Sequence, residues 1–299
     1  MRDLNDDESK LKALDQLFQQ VGAYKSSNEY RMLIDVVRRF HYMAPYNAML
    51  INVQKPGSRY VASAAQWKKD FQRAVIPGAR PLVILHRFGP VRFVFELGDT
   101  APLPDSKPFP EDLLQPFKTK GALSQDAMGN LLSSLPRSGI AYYEADHGTA
   151  SAGSIRPAPG GSWRELPVAQ QIVSVNIFYE MIVNKNMARE DKFATILHEL
   201  AHLYCGHLGI PPVEKWNFWP RRTRLHISTS EFEAESVAWL VCERLGVSNP
   251  SDKYLSGYLS KNNEIPNISL ETVLKATNTI ESMLQGSFAI RKEVLRKTS

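Results

Sequence analysis

Apolar positions recur along this chain at two spacings, and the change from one to the other outlines its elements. Leu11, Leu14, Leu17, Phe18 and Val21, then Met32, Leu33, Val36, Val37 and Phe40, follow the helical period, which predicts helices over about 9–21 and 28–42. Ala48, Met49, Leu50 and Val53 predict a short helix after Pro45 that stops at Pro56-Gly57. Ser63 to Ala74 reads as another, centred on Trp67. Two β-branched and aromatic runs follow, Pro81 to His86 and Val91 to Glu96, parted by Phe88-Gly89-Pro90. They predict a hairpin or two neighbouring strands.

Prolines at 102, 104, 108, 110 and 116 predict an irregular connector and set a domain boundary, giving units 1–110 and 111–299. Beyond it, a helix near 121–135 and strands at Ile140–Tyr143 and Gln171–Val175 are expected. The Gly-, Ser-, Ala- and Pro-rich stretch 147–162 reads as a loop or hairpin tip. Three more helices are expected: about Ala188 to Leu208, about Glu231 to Leu245 closed by Gly246, and about Leu270 to Arg296 behind Ser269-x-x-Thr272. Helices and strands in separate runs make the chain α+β.

Composition narrows the class. A chain of 299 residues with 43% apolar content can bury one large core or two modest ones. No run approaches the roughly eighteen apolar residues of a membrane span, and the acidic start, Met1 to Glu8, is unlike a secretory signal. A soluble, cytoplasmic protein with no membrane partner is expected. Cys205 and Cys242 lack zinc-finger or redox spacing and sit in apolar helical contexts, as buried thiols do.

The pentapeptide His198-Glu199-Leu200-Ala201-His202 carries the chemistry. Positions i and i+4 of a helix share a face, so both imidazoles can bind one ion, with Zn2+ the expected cofactor. Glu199 is then placed to act as general base toward a water on that ion. The flanking Phe193 to Leu197 and Leu203-Tyr204 suit a buried helix. A core helix whose histidines merely fall four apart is the plain alternative.

A zinc site of this kind needs one more protein ligand. His207 lies five residues past His202 and turned from its face, and His226 sits in a polar linker. The helix near Glu231 is the better source. Glu231 and Glu235 share a face, where two acids repel unless a cation lies opposite. Glu231 is taken as the third ligand. Glu235 is taken as the acceptor of a ligand histidine's free N–H, or as the ligand in its place. Ser230-x-x-Glu233 reads as a capping box that would account for Glu233. Tyr142, Tyr143, Tyr179 and His226 are candidate donors to a developing oxyanion. The aromatic and basic stretch Trp216 to Arg224 could overhang the cleft, contact nucleic acid or pack as a lid.

The overall formal charge is a mild +5, but twelve Lys and Arg stand against three Asp and Glu between Lys25 and Arg92. Aromatics are interleaved there. Basic groups that track a backbone and rings that stack on bases suit a single-strand binder. Arg38, Arg39, Tyr42, Asn47, Lys55, Arg59, Trp67, Lys68, Lys69 and Arg73 are the candidate contacts. A solvated basic surface over an ordinary aromatic core is the alternative.

The segment Phe193 to His202 with Gly206-His207, and the later Glu231-x-x-x-Glu235-x-x-Ala238-x-x-x-Cys242, resemble the metallopeptidase domain of ArdC-type antirestriction proteins, relatives of the ImmA/IrrE metallo-endopeptidases. Phe40-His41-Tyr42, Asn47, Leu50-Ile51, Gln54, Pro56, Val61-Ala62 and Trp67 resemble the N-terminal domain of the same proteins. The departures are Met43 where the family usually has serine, and Ile76-Pro77-Gly78-Ala79-Arg80 in place of a Gly-Lys-Gly-type turn. The resemblance implies a basic α+β module that binds single-stranded DNA, followed by a zincin-like domain of the glutamate-ligand kind. The functional expectation is a zinc metallo-endopeptidase acting on a protein or peptide, with a DNA-bound regulator as one candidate substrate. The alternative is a DNA-binding antirestriction or protective protein whose zinc domain is mainly structural.

Overall fold

The chain divides into two units, Met1–Lys118 and Thr119–Ser299, and each packs apolar side chains of its own. The computed structural model describes residues 30, 33, 36–37, 39–40, 42–86, 89–104, 106–110, 113, 124–146, 152–213, 216–247, 255, 265–286 and 288–296. The helix expected over 9–21, and Arg38, lie outside the described residues. The fold is α+β in both units.

In the first unit, Tyr30, Leu33, Val36, Val37 and Phe40 are buried. Helix α1 (Pro45–Gln54) starts on a proline, whose fixed φ suits the first turn. Strand β1 (Val61–Ala62) leads into helix α2 (Ala64–Phe71), capped by Ser63, which exchanges hydrogen bonds with Gln66. The helix expected to reach Ala74 ends at Phe71. Gln72 turns left-handed (φ 51°), and β2 (Arg73–Val75) pairs antiparallel with β5 (Thr100–Pro102). Three residues were too few to show strand alternation, and their partner lies in the proline-rich connector. Strands β3 (Leu82–His86) and β4 (Gly89–Glu96) form the expected antiparallel pair, with β1 on the far side of β4.

Trp67 is fully buried, its indole N–H donating to Phe95 O at 2.9 Å, and it packs with Ala62, Leu97, Tyr60, Phe71 and Phe109. Helix α1 lies along β3. Asn47 Nδ2 donates to Leu85 O (3.2 Å) and Asn47 Oδ1 accepts from Leu85 N (2.9 Å). Two turns on, Gln54 does the same at Val83, at 2.8 and 2.7 Å. Asn47→Ala strips Leu85 of both partners. We expect a loss of about 1 kcal/mol, the low end for an unpaired polar group because β3 is only half-buried. A urea titration followed by tryptophan fluorescence measures it.

In the second unit, helix α3 (Gln125–Ser134) precedes β6 (Ile140–Ala145). The stretch expected to be loop contains β7 (Gly153–Pro157), and β8 (Trp163–Val168) turns back into β9 (Gln171–Asn176). β10 (Tyr179–Asn184) is the middle strand, parallel to β6 and antiparallel to β7. Helix α4 (Arg189–Tyr204) packs on β7 and β10, and α5 (Ile227–Leu245) and α6 (Leu270–Leu284) pack on α4. The final helix was expected to continue to Arg296. It stops at Leu284, Gly286 is left-handed (φ 73°), and the tail runs beside β9, with Val294 O accepting from Asn176 N. Among the described residues no helix is long and apolar enough to cross a membrane.

Candidate metal centre

Phe193, Ile196, Leu197, Leu200 and Leu203 bury one side of α4, which turns His198, Glu199 and His202 toward its half-open side. Glu190 and Asp191 in the first turn favour the helix dipole. The Nε2 atoms of His198 and His202 lie 3.1 Å apart. Glu231, in the second turn of α5, straddles the pair, with Oε2 3.5 Å from His198 Nε2 and Oε1 3.5 Å from His202 Nε2. Zinc bonds of about 2.0–2.1 Å at tetrahedral angles put ligand atoms about 3.3 Å apart. The two imidazole nitrogens and the carboxylate that straddles them lie close to those separations, and the set fits a divalent metal ion.

Glu235 takes a different place. One turn past Glu231, its Oε1 lies 3.3 Å from His198 Nδ1, the ring nitrogen turned away from Glu231. Burial works against charge on His198, but Glu235 in contact, with Glu199 and Glu231 nearby, outweighs it and raises the pKa. His202 goes the other way, to about 3, because it is buried beside two other imidazoles. That shift favours the neutral ring that metal ligation requires. Burial, with Glu231 adding, raises the pKa of Glu199 against the pull of His198, and its carboxylate accepts the N–H of Ile155 in β7.

Glu233 is not the capping residue that the sequence suggests. Helix α5 begins at Ile227 with His226 as its cap, and Ser230 Oγ bonds to Ile227 O. Glu233 lies in the second turn, fully buried, held by Arg222 at 2.6 and 2.7 Å, by His207 at 2.8 Å and by the N–H of Ser269 at 2.7 Å. Burial alone would raise its pKa, but these donors bring it below the usual carboxylate value. His207 in turn lies 2.9 Å from His202, Nδ1 to Nδ1, outside the donor triad. Cys205, His207 and Glu233 also converge, but the guanidinium of Arg222 already supplies the positive charge there. The sequence held one hint of Glu233: three acids within five residues put charge on both sides of a mostly apolar helix.

Gly206 makes this arrangement possible. It is left-handed (φ 81°), and a Cβ there would lie 2.0 Å from Pro220 O. The close approach lets Arg222 N bond to Gly206 O and Arg222 Nη1 to Cys205 O. The aromatic residues of the stretch from Trp216 pack inward, while Asn217, Arg221 and Arg224 are exposed: Trp219 is buried, donates to Gly209 O at 2.7 Å and contacts Tyr204 and Tyr179.

The oxyanion candidates are dispersed. Tyr142 donates to Glu144, itself paired with Lys192 of α4. Tyr143 pairs with Ile182, on the sheet face opposite Val183, whose neighbour Gly153 touches Thr195 of α4. Tyr179 is buried with its pKa pushed up to about 12 by that burial, and His226 is exposed at the start of α5. Of the nucleic-acid candidates, Trp67 and Asn47 are used within the fold. Lys55 pairs with Asp99 at 2.7 Å, Arg73 bonds to Thr100, and Arg39 donates to Ser58 O at 3.4 Å. Arg59, Lys68 and Lys69 are exposed. So is part of Tyr42, stacked on Tyr60 at 4.7 Å.

No family model and no curated protein matches the chain. Among solved structures, it is similar to the Mn(II)-bound crystal structure of the antirestriction ArdC protein from the R388 plasmid, at 14% identity and a TM-score of 0.33, over 85% of this chain and 96% of that one. At that score the likeness does not define a fold.

Proposed function

We propose that the second unit is a zinc-dependent endopeptidase. The observation that carries this reading is the convergence of His198 Nε2, His202 Nε2 and the Glu231 carboxylate, with a half-buried carboxylate, Glu199, beside the histidines on the same helix. His198, His202 and Glu231 would hold the ion, and Glu235 would fix the ring of His198 through its Nδ1. A Zn2+ ion held there would supply Lewis acidity toward the scissile carbonyl and the attacking water. Glu199 takes the proton of the attacking water and returns it to the leaving amine, and the N–H of Ile155 steadies its carboxylate for that exchange. A protein or peptide is the substrate class. The test is hydrolysis of an unstructured protein such as casein by the zinc-loaded chain. Cleavage that survives a chelator, or a zinc-loaded chain that cleaves nothing, overturns the reading.

A second reading concerns the first unit. The partly exposed ring of Tyr42, stacked on Tyr60, with Arg59, Lys68 and Lys69 exposed in the same unit, favours a single-stranded nucleic acid contact, with the metal centre then mainly structural. Oligo(dT) affinity should fall steeply with salt, and Lys68→Ala with Lys69→Ala should flatten the log–log slope by about 0.7 for each lost phosphate contact. Fluorescence anisotropy across a salt series measures it; an unchanged slope sinks this reading.

A further inference from the structure

Glu233 stands at one end of a hydrogen-bonded chain that ends at His202. Its Oε2 accepts from His207 Nε2 and Arg222 Nη1, and its Oε1 from Arg222 Nη2 and the N–H of Ser269. A guanidinium and a backbone amide can only donate, so the carboxylate can only accept. The proton between Glu233 and His207 therefore sits on His207 Nε2. A neutral imidazole carries one N–H, which leaves His207 Nδ1 as an acceptor. His202 Nδ1 lies 2.9 Å from it, and two nitrogens at that distance share one proton. That proton belongs to His202 Nδ1, which leaves His202 Nε2 as a bare lone pair facing Glu231 and His198.

We propose that Glu233, anchored by Arg222 and acting through His207, sets the tautomer of His202 and so presents its Nε2 lone pair to the metal. His207 and Glu233 are positioning residues. The proposal rests on reading His198, His202 and Glu231 as the metal site. The two ligand histidines are thus oriented by different devices: His198 by direct contact with Glu235, His202 through a second imidazole.

Glu233→Gln tests the polarity of the chain while keeping its shape. The amide NH2 must face either Ser269 N–H and Arg222 Nη2, two fixed donors, or Arg222 Nη1 and His207, where the imidazole can switch. The second placement carries the smaller conflict. His207 then accepts at Nε2 and donates at Nδ1, and His202 is left with its proton on Nε2, the metal-facing atom. Nitrogen-15 NMR of the metal-free full chain should show His202 as the Nδ1–H tautomer in the wild type and the Nε2–H tautomer in Glu233→Gln, with His198 unchanged. Zinc affinity should fall about 10–100-fold, the usual cost of losing a partner of a metal ligand. His207→Gln is the rescue: its oxygen faces His202 Nδ1 and its NH2 faces Glu233, so zinc affinity stays close to that of the wild type.

Should Glu233→Gln fail to fold, the wild-type tautomer decides the matter. A wild-type His202 protonated at Nε2 overturns the proposal, and so does a folded Glu233→Gln that binds zinc as tightly as the wild type. A wild-type chain with His202 in the Nδ1–H form that binds no zinc overturns the metal-site reading and upholds the relay.

Discussion

On the proposed endopeptidase reading, Glu199→Gln should yield a chain that folds, binds zinc as the wild type does and hydrolyses peptide bonds about 10²–10⁴-fold more slowly. Glutamine matches glutamate in size, and its side-chain oxygen still accepts the N–H of Ile155, so β7 and α4 keep their contact. What is lost is the ability to take a proton. The three donor atoms come from other side chains, so metal content should stay the same. The comparison is kcat on one peptide with zinc content measured in parallel. Equal turnover by the two proteins removes Glu199 from the chemistry; unequal zinc content would place it among the ligands instead.

The second large effect is on the metal itself. His202→Ala removes a donor and should leave a chain with almost no zinc after dialysis. Glu231→Gln should do nearly the same, because a neutral amide oxygen is a much poorer ligand than a carboxylate. Glu235→Gln should cost only about 10–100-fold in affinity, since Glu235 contacts the outer nitrogen of His198 and not the metal-facing one. Competition with a chromophoric chelator ranks the three. If Glu235→Gln empties the site and Glu231→Gln does not, the two carboxylates exchange roles. Thermal melts of each variant with added zinc separate loss of the ion from loss of the fold, because a bound ion raises Tm and an absent one cannot.

The parts of this site that could be read from the sequence are those whose geometry is local. His198, Glu199 and His202 lie within one helical turn, and the shared face of Glu231 and Glu235 follows from their spacing of four. The relay is not local. Glu233 meets Arg222 across 11 positions and His207 across 26, and Arg222 is brought in by the close approach at Gly206. In the fold, the alternating and β-branched runs at Leu82–His86 and Gln171–Asn176 were readable, whereas β10 was not. Its Tyr179-Glu180-Met181-Ile182-Val183-Asn184 owes its place to the strands on either side of it. The aromatic and amide residues of the first unit show a different limit. Residue type gave Trp67 and Asn47 the chemistry to bind a nucleic acid, but only packing shows that Trp67 faces inward and Asn47 faces β3.

The pairing of Asn47 and Gln54 with β3 also decides what that sheet can do with other chains. A strand at the end of a sheet ordinarily displays a row of unused N–H and C=O groups, a template for any extended segment that drifts past. Here two side chains of α1 occupy the positions that a fourth strand would take at Val83 and Leu85. The sheet is closed to recruitment on that side, so growth by strand exchange or fibril-like stacking has no free rung at those two residues. A variant lacking both amides would do more than lose stability: it would open a docking line for its own copies.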